Sequence, residues 1–581
     1  MKSISTSGPA KLVLTGGNIL TGEQGGRAEA IYVADGRVVA IGSESDVTAA
    51  AGADVPRQDL GGATVIPGMI DTHPHLMHFA AFYGATVNIL ESKDYDEITA
   101  AIKERAANTP AGEWITTTPV GEPHYFLRRS WRDLEEGQLP NRHVLDEATS
   151  DHPVIIQAWA PTTPNVCALN SLALERLGIT ADSPDRIENI WIEKDADGVP
   201  TGILTGSVTT YYNDDPYWLT LQEKMPPLIQ SDVIPAAHAA SMAHYQRSGV
   251  TTIFEAHDMD VPLIEAYKYL RANGLLGLRV IMAHSLESNA LPGSEKRSMQ
   301  EIRDALELAL ADRSTTDDWL RVDGITTNAW GPGSCGRMGW LRGYLDAWGN
   351  QTNGRRQITK EKMDYAIDWC AEHGLQLNLL AASPDEIDEY IAGARNAIAR
   401  HGLDQLDWMI QHGYIMRPGQ AEQLAELGFD ITVSAGFSLG KGEMIEERMG
   451  KDALSWLNTF RTFIDAGMKV AGSSDWGPVN PFEQMQLAVT HEMQPSGRRN
   501  DGPAQVVSRD EAFEMWTSGG AALLKWDGVG VLRPGAYADL AIVDRDPVRC
   551  DIAELPSTKV LATMIDGRVV HDTGVLSGDH S

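Results

Sequence analysis

The segment Asp71-Thr72-His73-Pro74-His75 sets two histidines two residues apart after an apolar run, Thr64-Val65-Ile66, which passes through Pro67-Gly68 into Met69-Ile70. Alternate side chains of a strand share a face, so Asp71, His73 and His75 can point the same way. Two imidazoles so placed can share one metal ion. A catalytic site also needs a third protein ligand and a position left open for water. A bare His-x-His equally fits two turn histidines satisfied by backbone, so the rest of the chain must supply matching parts.

The elements that would position such a site are readable along the chain. Residues 11 to 66 form short strands between turns, Lys11-Leu12-Val13-Leu14, Ala30-Ile31-Tyr32-Val33 and Arg37-Val38-Val39-Ala40-Ile41. The last stretch repeats this style in Ala538 to Val543, Val560 to Ile565 and Arg568-Val569-Val570, so both ends read as halves of one sheet-rich domain. Between them, strand-like runs (Val250 to Ala256, Leu278 to Ala283, Leu375 to Leu380, Val470 to Gly472) alternate with amphipathic helices such as Met299 to Leu310 and Pro418 to Leu427. That alternation predicts an α/β fold with a parallel sheet covered on both faces, and 581 residues favour a TIM-like (β/α)8 barrel. The expected division is 1–66 and 526–581 as two halves of a β-sandwich around a barrel at 67–525. Within the barrel, about 80 to 240 breaks the alternation, is rich in Pro, Trp and Tyr, and reads as an insertion over the barrel mouth.

Composition narrows the function classes. A hydrophobic fraction of 43% with 22% charged residues is that of an ordinary globular protein. The net charge of −32, from 80 acidic and 48 basic residues, repels a phosphate backbone, and no basic patch offsets it, so no nucleic-acid partner is expected. Cys167, Cys335, Cys370 and Cys550 are scattered outside any CxxC pair, which argues for reduced thiols rather than disulfides or a cysteine zinc site. No run approaches the roughly 18 apolar residues of a membrane span, and Met1-Lys2-Ser3 leads into no apolar leader. The expected setting is the cytoplasm, away from membranes.

Four blocks in order carry a family resemblance. They are Val65 to His75, Asn170-Ser171 with Ala173-Leu174, Ala466-Gly467 through Gly472-Ser473-Ser474-Asp475, and Gly530 to Leu540. Together they resemble the amidohydrolase superfamily, and within it the family-3, YtcJ-like branch that includes N-substituted formamide deformylases. The resemblance implies that His73 and His75 are first-strand metal ligands. It implies that Asp475 is the last-strand carboxylate, which binds metal, takes a proton from the nucleophilic water and passes it to the leaving group. His412, in Met409-Ile410-Gln411-His412, falls at the family's sixth-strand histidine, a ligand or a donor to the substrate carbonyl. Outside that context Asp475 would read as a helix N-cap and His412 as a core histidine.

Two ligands of binuclear relatives are missing. Thr326 stands at the place of the fourth-strand lysine, and a hydroxyl forms no carbamate; Leu380 stands at the place of the fifth-strand histidine. Glu255 and His257, at the end of Val250 to His257, share a face by period two and are the candidates to complete the coordination. The expected cofactor is one divalent cation, zinc by its donors, with manganese or iron as alternatives. In the insertion, His124 and Asn165 are candidate substrate contacts, alongside His257. The expected activity is hydrolysis of a C–N bond in an amide, formamide or cyclic amide of small-molecule size. A lyase, decarboxylase or isomerase on the same barrel, and a ligand-binding relative without catalysis, are the alternatives. Relatives often form dimers, so the resemblance allows a homodimer.

Overall fold

A computed structural model describes residues 10–576 except 24, 122–127, 160–161, 228–233, 258 and 288–295. Its central sheet has eight parallel strands arranged in chain order: Met69–Asp71, Val250–Glu255, Arg279–Ser285, Leu320–Asn328, Leu377–Ala381, Trp408–His412, Phe429–Val433 and Val470–Gly472. Thr72 N–H and its hydroxyl both donate to Gly472 O, at 3.2 and 2.9 Å, and Asp475 N–H donates to His73 O at 2.9 Å. These bonds bring the first strand against the eighth, so the sheet curls into a (β/α)8 barrel. Every residue of the second and third strands is buried, as a parallel sheet covered on both faces requires.

The helices outside the barrel follow from local chemistry. Met299–Asp312 begins at Ser298, whose side chain caps Glu301 N–H while Glu301 reaches back to Ser298 N–H. It buries Ile302, Leu306 and Ala309, one stripe at three- and four-residue spacing. Full burial of each large aliphatic contributes roughly 1.5–3 kcal/mol.

Both ends of the chain meet in one six-stranded sheet, where Thr64–Pro67 pairs antiparallel with Leu540–Val543. A four-stranded sheet from residues 12–59 packs on it, and Leu14, Ile31, Val65, Leu540, Ile542 and Met564 belong to one apolar core between them. Arg279, at the start of the third barrel strand, donates through Nε and Nη2 to Asp539 at 2.6 and 3.1 Å, with both side chains shut off from solvent. That buried pair fastens barrel to sandwich.

The run from Thr64 to His75 is not the single strand its apolar pattern suggests. Thr64–Pro67 belongs to the sandwich and Met69–Asp71 to the barrel. The change of sheet falls at Gly68, where a Cβ would lie 2.1 Å from Thr251 Oγ1. Between the first strand and the second, a separate six-stranded sheet runs from Ile115–Thr117 to Arg186–Ile187. The chain leaving that sheet crosses to the barrel, where Tyr211 packs 4.6 Å from Trp476, ring centre to ring centre. Cys167, Cys335, Cys370 and Cys550 are free thiols. Among the described residues no helix is long and apolar enough to cross a membrane.

Candidate metal centre

Side chains from three strand ends converge at the C-terminal mouth of the barrel. His73 and His75 follow the first strand, His412 is the last residue of the sixth, and Asp475 follows the eighth. His73, His412 and Asp475 each offer a ligand atom, all within 4.8 Å of one another. His75 Nε2 is 3.1 Å from Asp475 Oδ1, and His73 Nε2 is 3.7 Å from the same oxygen. His257, beyond the second strand, brings its ring centre 5.6 Å from that of His73 and 5.3 Å from that of His75. All five are buried.

The local backbone is unusual. His75, His412 and Asp475 have φ of 53°, 70° and 50°, a left-handed region that costs a residue with a Cβ. The strand ends at Asp71, so His73 and His75 are aimed by this turn rather than by period-two alternation. Asp71 faces elsewhere: its carboxylate accepts from His73 N–H, Ser474 N–H and the Ser474 hydroxyl, tying the first strand end to the eighth. Burial pushes its pKa up to about 6, with the Ser474 and His73 donors opposing.

Electrostatics prepare the imidazoles for a cation. Burial holds His73 and His412 well below the usual histidine pKa, with the neighbouring imidazoles adding to the effect and Asp475 opposing, so both rings are neutral. Both ring nitrogens of His73 and Nδ1 of His412 are buried without a hydrogen-bond partner among the described residues. Buried polar atoms are rarely left so, and neutral nitrogens beside a carboxylate form a donor set suited to a divalent ion. The residues present therefore fit a metal.

Not every expected residue joins this cluster. Glu255 is not among the three residues whose ligand atoms gather: its Oε1 accepts from Met77 N–H and the Tyr267 hydroxyl, both at 2.8 Å, at the start of the helix Leu76–Ala85. Asn165 opens an insertion strand, its Oδ1 accepts from Val166 N–H, and it is not among the described residues lining the pocket around His73. His124 lies outside the described residues. His257 does line the pocket, with Nε2 3.1 Å from the Tyr212 hydroxyl. Leu380 lines it too, whereas the Thr326 hydroxyl accepts from Asn378 and supplies no metal-binding atom beside His73.

The pocket encloses some 550 Å³ of empty space, counting its open mouth. Its wall adds residues the sequence reading missed: Tyr212, Trp330, Glu386, Tyr414, Phe437, Lys441 and Trp476. Trp476 stacks on His75 at 4.5 Å. Glu386 is buried, accepts from Ala382 N–H and the Tyr390 hydroxyl, and is pushed up to about 7 by desolvation. Desolvation draws Lys441 down to about 8, against the pull of Asp475. The signal for Lys441 was a lysine four residues after Phe437 among glycines and apolar residues, and a lone lysine in a helix ordinarily reads as solvent-facing.

Comparison with known proteins agrees with this geometry. The family model described as "Amidohydrolase family" matches residues 58–571. The chain is 26% identical to the N-substituted formamide deformylase of Arthrobacter pascens, over 93% of this chain and 94% of that protein. It is also 26% identical to YtcJ of Bacillus subtilis, an amidohydrolase by name, over 97% and 99% of the two chains. A metal-dependent hydrolase of Pyrococcus horikoshii has the same fold, with a TM-score of 0.67 at 19% identity, covering 94% of this chain and all of that one. A model spanning most of the sequence, on a barrel whose strand ends carry the expected histidines and aspartate, leaves one assignment: the chain belongs to the amidohydrolase family.

Proposed function

We propose that the chain hydrolyses a C–N bond of a small amide, formamide or cyclic amide at the His73, His75, His412 and Asp475 cluster. The observation carrying this is the pair of buried, neutral imidazoles of His73 and His412 beside the Asp475 carboxylate, with both ring nitrogens of His73 and Nδ1 of His412 lacking a hydrogen-bond partner among the described residues. Those four residues would hold one divalent ion, zinc by the preference of imidazole and carboxylate donors. Bound there, the ion supplies Lewis acidity, which lowers the pKa of water toward neutrality and polarises a carbonyl.

The chain's own groups do the rest. Asp475, its Oδ1 held 3.1 Å from His75, takes the proton of the attacking water and returns it to the departing nitrogen, so the amine leaves neutral. Trp476, stacked on His75, fixes the ring that holds Asp475. His257, paired to Tyr212, donates toward the substrate oxygen from the second strand. The deformylase relative supports a formamide or related amide as substrate.

The test is turnover of a panel of N-substituted formamides and amides by zinc-loaded protein in H₂¹⁸O. One ¹⁸O atom should enter the acid product, and Asp475→Asn should lower kcat by about 10²–10⁴. Turnover that leaves all ¹⁸O in the solvent would overturn hydrolysis in favour of a lyase or isomerase.

A further inference from the structure

His75 stands at the start of the helix Leu76–Ala85, and His78 follows three residues later, a spacing that brings the two side chains to one side of the helix start. His75 Nδ1 and His78 Nδ1 are 3.2 Å apart, and both residues are buried. The other ring nitrogen of His75, Nε2, faces the cluster, 3.1 Å from Asp475 Oδ1. The backbone beneath the pair is pinned: Met77 N–H donates to Glu255 at 2.8 Å, and the Tyr245 hydroxyl donates to Pro74 O at 2.7 Å. His78 therefore approaches the His75 ring from a fixed frame, on the side away from Asp475.

A neutral imidazole carries one proton, so one of its nitrogens donates and the other accepts. A nitrogen that ligates a cation must offer its lone pair, which leaves the proton on the far nitrogen. For His75 the far nitrogen is Nδ1, and an N–H placed there points at His78 Nδ1, which can accept it when the proton of His78 is on Nε2. Metal-bound histidines usually give this second N–H to a carboxylate, a backbone carbonyl or water, and that partner sets both the tautomer and the aim of the ring. Here an imidazole one helical turn away takes that place.

We propose that His78 is a positioning residue of the metal centre: its Nδ1 accepts the Nδ1–H of His75, selecting the tautomer whose Nε2 lone pair points at the cation and holding the ring in that aim. The inference rests on the cluster being the metal site, because ligation at Nε2 fixes the direction of the bond between the two rings. His78 acts through His75 and is not itself a ligand.

Metal affinity decides it without turnover. Zinc and cobalt dissociation constants are measured by chelator competition for wild type, His78→Asn and His78→Leu. Asparagine carries an oxygen acceptor where the ring carries Nδ1, whereas leucine fills similar space and accepts nothing. His78→Leu should weaken both ions roughly 10- to 100-fold and alter the visible absorption of the cobalt-loaded protein, while His78→Asn stays close to wild type in both readouts. Leucine binding zinc as tightly as wild type overturns the proposal. So does an equal loss in both variants, because His78 would then be a ligand or a packing residue. Nitrogen NMR of histidine-labelled, zinc-loaded wild type needs no variant to fold: it should show His75 protonated at Nδ1 and His78 at Nε2, and a proton on His78 Nδ1 overturns the proposal. Wild type that binds neither ion strikes the metal-centre reading itself, an outcome distinct from tight binding that ignores His78.

Discussion

Replacing Glu255 by Gln tests what the buried second-strand carboxylate does. Glu255 is 1% exposed, and burial raises its pKa from 4.5 to about 7, with the Met77 N–H and Tyr267 hydroxyl donors opposing. At about 1.36 kcal/mol per unit, that rise is a penalty of about 3 kcal/mol on the ionised form in the folded state. The folded state binds this proton more tightly than the unfolded chain, so it holds more protons between pH 4.5 and 7. Stability contributed by the group therefore falls as pH rises through that window, with no penalty below it and the full penalty above it. Glutamine cannot ionise, and its oxygen can still accept from both donors. The stability of Glu255→Gln relative to wild type should thus rise by about 2–3 kcal/mol from pH 5 to pH 8, measured by urea unfolding of the metal-free protein. Taking the difference between the two proteins cancels Glu386, whereas Asp71, whose charge raises Glu255, is relieved by the same substitution and shifts the difference in the same direction. Zinc content should stay at wild-type level. A difference independent of pH would refute the burial account, and loss of zinc would restore Glu255 as a ligand.

Two further substitutions probe the frame and the pocket. Asp539→Asn removes the carboxylate charge that faces buried Arg279, leaving Asp566 at 3.4 Å as its remaining carboxylate, and should destabilise the protein by about 1–3 kcal/mol, read as a lower thermal midpoint; an unchanged midpoint would show that the pair does not fasten barrel to sandwich. Tyr212→Phe removes the hydroxyl 3.1 Å from His257 and should lower kcat/KM by roughly 2- to 10-fold with zinc content unchanged; unaltered kcat/KM would place the pair outside the reaction.

The barrel and the joining of the chain ends were legible because apolar-rich strand segments bounded by turns alternate with amphipathic helical stripes along the chain. The histidines and Asp475 were legible through ordered motifs at strand ends. What escaped depends on partners far away in the chain. The Oε1 of Glu255 accepts from Met77 N–H, 178 residues earlier, a partner no local pattern announces. Asn165 opens an insertion strand whose pairing with Pro200–Gly206, some forty residues later, sets where it lies. Lys441 escaped because nothing local tells a buried lysine from an exposed one; the aromatic rings beneath it come from its own helix and from the loop after the sixth strand.

His73 and His75 were found through strand alternation, yet alternation does not aim them, because the strand stops at Asp71. Their convergence comes from left-handed backbone at His75, His412 and Asp475, each costing about 1–3 kcal/mol unless its surroundings fix it. The surroundings do fix it. Asp71 ties His73 N–H to Ser474, Asp475 N–H is bonded to His73 O, and Trp476 stacks on His75. The strand ends are thus locked to one another, and the lock keeps ligand atoms of His73, His412 and Asp475 within 4.8 Å of one another. Strain of this kind is spread through cross-barrel bonds that a linear pattern does not encode, so residue types announce the site while only the closed barrel can build it.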